Sequence, residues 1–302
     1  MREEDRTGGS NASRNPKAET RARGGPGRQQ QKYPGSTKKL RPLPDHGEQT
    51  YRGSGKLEGL HALITGGDSG IGRAVAIAFA REGADVAFAY LSEHEDAEET
   101  VAWIEKAGRR ALSMAADVSA HAQCQQIVTR TLEEFGSIDI LVNNAAFQWE
   151  QTEFDKISPE QLDYTFRTNF FAYFWLAQAV VKHMKEGSAI INTGSVTALE
   201  GNQGLIDYAA TKGAIHTFTK SLAQALAPKG IRVNCVAPGP VWTPLIASTF
   251  SEEHVERFGA DTVWERPAQP AELASSYVFL AAADSRYYTG EIFSPTGRVS
   301  SR

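Results

Sequence analysis

A tyrosine and a lysine four residues apart, Tyr208 and Lys212, are the pair in this chain best suited to proton chemistry. On a helix that spacing puts both side chains on one face. An ammonium beside a phenol stabilises the phenolate and lowers a pKa that starts near ~10 towards working pH, as a general acid/base requires. Ser195, thirteen residues before Tyr208 and just after an apolar run, carries a hydroxyl able to bond and orient a substrate oxygen. Far upstream, Thr65-Gly66-Gly67-Asp68-Ser69-Gly70-Ile71-Gly72 follows another apolar run. Gly66, Gly70 and Gly72 suit a tight turn that lets a pyrophosphate approach the backbone, against the unsatisfied N–H groups and positive dipole end of the next helix. Each feature has a commonplace reading by itself. Glycine clusters make ordinary turns, a serine after a strand is usually a turn residue, and a tyrosine near a helix start is usually packing. Their joint occurrence in this order points to nicotinamide-dependent redox chemistry.

These residues need a scaffold, and the pattern from Leu57 onward supplies one. Apolar runs of four to seven residues alternate with amphipathic stretches of ten to twenty, the signature of βαβ units. The expected fold class is α/β, a doubly wound Rossmann fold with a seven-stranded, mostly parallel sheet and helices on both faces. Strands are predicted near 61–65, 85–90, 111–115, 138–142, 188–193, 231–235 and 291–294. Helices are predicted near 70–82, 93–107, 119–135, 158–186, 208–227 and 271–283. Ser158-Pro159 with Gln161 reads as a capping box at the start of the fourth helix, and Pro228-Lys229-Gly230 ends the fifth. No internal repeat is visible.

The combination of T-G-x-x-x-G-I-G at 65–72, N-N-A at 143–145, Ser195, Y-x-x-x-K at 208–212 and P-G at 238–239 resembles the short-chain dehydrogenase/reductase family over about 57–296. The extended N-terminus, with Pro44-Asp45-His46-Gly47-Glu48 and Gly53-Ser54-Gly55-Lys56-Leu57, further resembles a bacterial stress-associated or sugar-alcohol dehydrogenase-like subgroup. The resemblance implies a tetrad of Asn169, Ser195, Tyr208 and Lys212, with Asn169 holding a water that links Lys212 to solvent. It also implies that Asp117 and Val118 meet the adenine end, and that the Asn143–Ala145 turn, with Asn144 and Ala145 at the cofactor, holds the fourth strand against it. Pro238 and Gly239 with the Val241 backbone and the Thr243 hydroxyl are implied to fix the nicotinamide. For Asp117 a helix cap is the competing reading, with Ser119 a rival for that job. Ala146 stands where many members have glycine. A homotetramer packed partly through the fourth and fifth helices is also implied.

NAD or NADP is the expected cofactor. The selecting position after the second strand is Tyr90, followed by Leu91 and Ser92, so neither a carboxylate nor an arginine stands there. Ser69 precedes Gly70 where a basic group would welcome a 2′-phosphate, and Glu93 and Glu95 lie close by, which favours NAD. The stretch 244–270, with Phe250, His254, Phe258 and Trp264, reads either as a substrate lid or as packing. Gln148, Trp149, Glu200, Gln203 and Gly204 are candidate pocket residues. The substrate class read from the chain is a small polyol, sugar or simple alcohol and its carbonyl partner. The rival reading is a catalytically silent nucleotide-binding regulatory or scaffold protein on the same fold, which would have no chemical need for the whole tetrad.

The 302 residues include 41 % hydrophobic residues, enough for one sizeable core. No apolar run approaches the roughly 18 residues of a membrane span, and the charged start lacks a secretory segment, so a cytoplasmic protein without membrane or nucleic-acid partners is expected. Cys124 and Cys235 fit neither a metal site nor a disulfide framework and are read as buried free thiols. Residues 1–44 hold eleven Lys/Arg against four Asp/Glu, a balance of +7 that leaves −11 for the remainder of a chain with net charge −4. The stretch 1–33 has hardly any large apolar residue and reads as a disordered basic tail whose removal leaves activity intact. The stretch 34–56 reads as an extended arm, either lying along the body or a neighbouring subunit or serving as a plain linker. The catalytic domain is placed at 57–302.

Overall fold

The computed structural model describes residues 24–299. Seven strands form one sheet in the order β3-β2-β1-β4-β5-β6-β7: β1 His61–Thr65, β2 Asp85–Tyr90, β3 Ala111–Ala115, β4 Ile140–Asn143, β5 Ala189–Thr193, β6 Arg232–Val236 and β7 Ile292–Phe293. Every neighbouring pair is parallel, so the expected "mostly parallel" sheet is wholly parallel. Parallel strands need crossovers, which cover both faces and make β4, β5 and β6 buried along their whole length.

The helices are α1 Gly70–Arg81, α2 His94–Lys106, α3 His121–Phe135, α4 Pro159–Phe166, α5 Ala172–Val180, α6 Thr197–Glu200, α7 Ile206–Leu226, α8 Pro244–Thr249, α9 Glu252–Arg257 and α10 Pro270–Ala281. One apolar layer packs α1 and α10 on the sheet through Val75, Phe79, Leu273 and Tyr277. The opposite layer packs α3, α5 and α7 through Ile127, Leu176 and Ile215. Both cysteines are buried and free, as expected.

Local signals explain the element ends. Gly136 caps α3 in the left-handed region at φ 82°, its N–H returning to the Leu132 carbonyl. Ser158 caps α4 through the Gln161 N–H, and Pro159 opens the helix. The expected capping box is half formed, because the Gln161 side chain donates instead to Asp207 Oδ2 at 3.0 Å. The predicted helix 158–186 is not continuous: a π-helical turn, Arg167–Phe171, separates α4 from α5, and α5 ends at Val180. Nothing in local propensity marks that turn, which is set by tertiary bonds to Asn169.

In the N-terminal region one expectation changes and one of the open readings holds. Residues 24–33, placed in the disordered tail, are packed on the body; the rest of that tail, 1–23, lies outside the described residues. The Gln31 N–H donates to the Ala247 carbonyl and the Gln30 side chain to the Phe250 carbonyl. Residues 34–56 lie along the body and are not a plain linker. Leu40 is fully buried in a cluster with Tyr208, Trp242, Ile246 and Phe250. Arg81 at the end of α1 binds the carbonyls of Gly47, Glu48 and Tyr51, while Glu82 accepts from Ser54 and Lys56 N–H groups and the Tyr51 hydroxyl. These charge-assisted bonds supply what composition did not show, a reason for a polar segment to order.

Candidate active site

The C-terminal ends of the strands open into a cavity of about 880 Å³, within the usual range for a ligand site. Gly66 follows β1, Tyr90 ends β2, Asp117 follows β3, Asn144 follows β4, Ser195 follows β5 and Pro238 follows β6, and all six border this space. That is where an open α/β sheet places its ligand, outside the carboxyl ends at the point where strand order reverses.

At the glycine turn the residue types are dictated by space. Gly66 sits at φ 67°, where L side chains are strained. A Cβ on Gly72 would overlap the Gly66 carbonyl oxygen, and one on Gly70 would come within 2.9 Å of Thr243 Cγ2. Asn144 Nδ2 donates to the carbonyls of Thr65 and Gly66, and the Thr65 hydroxyl accepts from the N–H groups of Asn144 and Ala145. Ser69, the N-cap of α1, makes no side-chain capping bond. The cradle therefore presents backbone to the cavity, and it fits a dinucleotide pyrophosphate.

Asp68, Ser69, Ile71, Val118, Ala145, Gly239, Val241 and Thr243 also border the cavity, whereas Gly72 lies behind it. Burial raises the Asp68 carboxyl to about 6. Asp117 accepts the Ser119 N–H, and Gln123 accepts the Asp117 N–H. It does not cap α3, whose N-cap, Ala120, has no side-chain bond, and Ser119 does not cap it either.

At the other end of the cavity stand Ser195, Tyr208 and Lys212. The helix α7 presents Tyr208 and Lys212 on one face, and Lys212 Nζ lies 5.3 Å from the Tyr208 ring centre. Lys212, only 1 % exposed, donates to the Thr193 carbonyl at 2.8 Å, and burial lowers its pKa to about 8. The Tyr208 hydroxyl is not lowered by its neighbour as expected. Burial pushes it up to about 12, with a hydrogen bond to Ser195 opposing the rise. Desolvation disfavours the phenolate by more than the Ser195 hydrogen bond favours it. Ser195 Oγ also accepts from the Thr197 N–H and lies 3.0 Å from the Thr197 hydroxyl.

Asn169 is not at the cavity wall. Its Oδ1 accepts the Phe147 N–H at 2.7 Å, and its Nδ2 donates to the Phe147 carbonyl and to Thr211 Oγ1. It thus ties the loop after β4 to α7, one residue from Lys212. Asn143 is buried behind the cavity, donating to Asn192.

Sequence reasoning missed Asp207. Its Oδ2 accepts from Gln161 and from Thr165 Oγ1, and its Oδ1 accepts the Tyr208 N–H, locking α4 to the start of α7 beside Tyr208. It also missed Arg73, whose Nε donates to the Asp68 carbonyl and whose Nη2 reaches the Asp96 carbonyl. An acidic residue preceding the tyrosine was the available signal for the first; a buried arginine in an alanine-rich helix leaves none.

Of the candidate pocket residues, Gln148 and Glu200 border the cavity, and Trp149, Gln203 and Gly204 do not. Phe250, His254 and Phe258 border it too, but Phe250 is also core and stacks on His254 at 3.9 Å; Trp264 lies elsewhere. His254 Nδ1 contacts Glu150 Oε1 at 2.7 Å. Among the described residues no helix is long and apolar enough to cross a membrane, and no cluster of His, Cys, Asp and Glu could hold a metal.

Comparison with known proteins agrees with this architecture. The family model described as Enoyl-(Acyl carrier protein) reductase matches residues 66–297. General stress protein 39 of Bacillus subtilis is 50 % identical over 272 residues, 90 % of this chain and 95 % of that one. The glucose and ribitol dehydrogenase of Daucus carota is 49 % identical over 278 residues, 90 % of this chain and 96 % of that one. A short-chain dehydrogenase from Burkholderia cenocepacia, solved in complex with NADP, superposes with a TM-score of 0.76 at 34 % identity, covering 80 % of this chain and 98 % of that one.

Proposed function

We propose, because this chain belongs to the short-chain dehydrogenase/reductase family and is an NAD(P)-dependent oxidoreductase, that it interconverts a small polyhydroxylated alcohol and its carbonyl, with Tyr208 moving the proton. The observation that carries this reading is that Ser195, Tyr208 and Lys212 border the same cavity as the glycine turn. A nicotinamide dinucleotide, when bound, supplies or accepts the hydride. The glycine turn and the Asn144–Thr65 bonds hold its pyrophosphate end, and Val241 and Thr243 hold the other. Ser195 orients the substrate oxygen while Tyr208 donates its proton to that oxygen in reduction and takes it back in oxidation. Lys212 keeps a positive charge beneath the phenol ring, and Asp207 and Asn169 fix the helix that carries both.

The substrate end of the cavity carries Gln148, Glu150, Glu200, Asn202 and His254, a wall rich in groups that bond hydroxyls. That lining, with the likeness to a glucose and ribitol dehydrogenase, supports a polyol or sugar. NAD is the proposed dinucleotide. The wall around Ser69, Tyr90, Leu91, Ser92 and Glu93 offers no lysine or arginine among the described residues, and Asp68 stands beside it, so a 2′-phosphate meets no cation there. Following reduced-nicotinamide absorbance with both dinucleotides against polyols, sugars, alcohols and aldehydes tests the reading. Turnover of a polyol or sugar with NAD is expected. Turnover confined to NADP would overturn the cofactor assignment, and none with any polyol or sugar the substrate class.

A further inference from the structure

The wall of the cavity is not built by the catalytic domain alone. Tyr33 and Pro34, where the N-terminal tail meets the arm, border the same space as Asp68, Asp117 and Val118. The Tyr33 ring meets Phe147 edge-on at 5.2 Å, and Phe147 meets Tyr164 at 4.8 Å, so the arm continues an aromatic wall that the body begins. Burial raises the Tyr33 hydroxyl pKa, and Tyr164, Asp117 and Asp68 stand near enough to add to the rise.

The arm is held there from two sides. The Thr37 N–H donates to Asp96 Oδ2, Asp96 pairs with Arg73 at 3.4 Å, and Arg73 Nε binds the Asp68 carbonyl in the glycine turn. Both side chains in this relay, Asp96 and Arg73, are almost fully buried. On the other side Ser248 Oγ donates to the Pro34 carbonyl, and a Cβ on Gly35 would come to 3.0 Å from the Pro244 carbonyl oxygen, so the arm lies flat on α8.

We infer that Tyr33 is a dinucleotide-binding residue, an aromatic wall for the adenosine half that the arm carries to the site. The inference rests on the cavity holding a nicotinamide dinucleotide. An aromatic face beside a base contributes stacking that the glycine turn does not supply.

The test is titration of the full chain with two fragments, ADP-ribose and nicotinamide mononucleotide, in the wild type, Tyr33→Ala and Tyr33→Phe, with melting temperatures recorded; Tyr33→Leu replaces the alanine variant if that unfolds. Tyr33→Ala or Tyr33→Leu is expected to weaken ADP-ribose by about 5- to 20-fold, the loss of one base–aromatic contact. Nicotinamide mononucleotide should stay within about twofold, and Tyr33→Phe should match the wild type for both fragments. An unchanged ADP-ribose affinity in the alanine or leucine variant, or equal weakening of both fragments, overturns the inference. Failure of the wild type to bind ADP-ribose would instead remove the dinucleotide reading beneath it.

Discussion

Tyr208 and Lys212 show how far residue types alone lead. Their pairing on one face of α7 was legible from a spacing of four, but the direction of the phenol's pKa was not, because desolvation depends on what the fold packs around it. With Tyr208 raised to about 12, the protonated form that carbonyl reduction needs is held through neutral pH, and the catalytic group lowered towards that range is Lys212, at about 8. A depressed lysine is cationic below that value and neutral above it. Carbonyl reduction at saturating dinucleotide is therefore expected to fall as pH rises through about 8; a profile flat to alkaline pH would contradict a role for the charge. Gly72→Ala tests the cradle at the same scale. Its methyl overlaps the Gly66 carbonyl, so the turn must open, with about 1–3 kcal/mol of overpacking strain and a large loss of dinucleotide affinity by titration. Wild-type affinity in that variant would show that the turn does not hold the cofactor.

Among the elements, the sheet and most helices were readable within a few residues because strong apolar periodicity fixed them. The π-turn Arg167–Phe171 was not, since its cause is non-local: Asn169 must reach the Phe147 backbone and Thr211 at once. A mid-helix asparagine gives no hint of such partners. Asn169→Ala leaves the Phe147 N–H and carbonyl without their bonds, costing about 1–3 kcal/mol per buried group left unpaired. A clear fall in Tm by circular dichroism is expected together with reduced kcat, since the loop after β4 and α7 lose their tie. An unchanged Tm would mean that the π-turn is held by something else. The short β7 and the early end of α5 reflect the same limit, boundaries set by packing and not by propensity.

For the whole molecule, the stretch just before the arm is the feature composition misjudged. Residues 24–33 lack large apolar side chains on average, yet Tyr33 packs on Phe147 and bonds from Gln30 and Gln31 tie them to the body, while Leu40 and Tyr51 anchor the arm itself. Leu40→Ala, at a fully buried position beside Tyr208 and Trp242, should cost about 2–5 kcal/mol in denaturant unfolding. A loss below about 0.5 kcal/mol would show that the arm is not part of the core. Assembly is the other whole-molecule property. Phe170 of the π-turn and exposed Phe174 of α5 pack with Phe218 of α7, an aromatic face that suits subunit contact. Light scattering is expected to give four times the 32.9 kDa chain mass, and a monomer would contradict the expectation.

The central claim is that one cavity holds both the dinucleotide and the proton-transferring Tyr208. Its most direct test is Tyr208→Phe, assayed side by side for dinucleotide affinity and for turnover of a substrate the wild type accepts. Turnover is expected to fall by at least about 100-fold, with dinucleotide affinity within about threefold of wild type. Near-native turnover in that variant would contradict it.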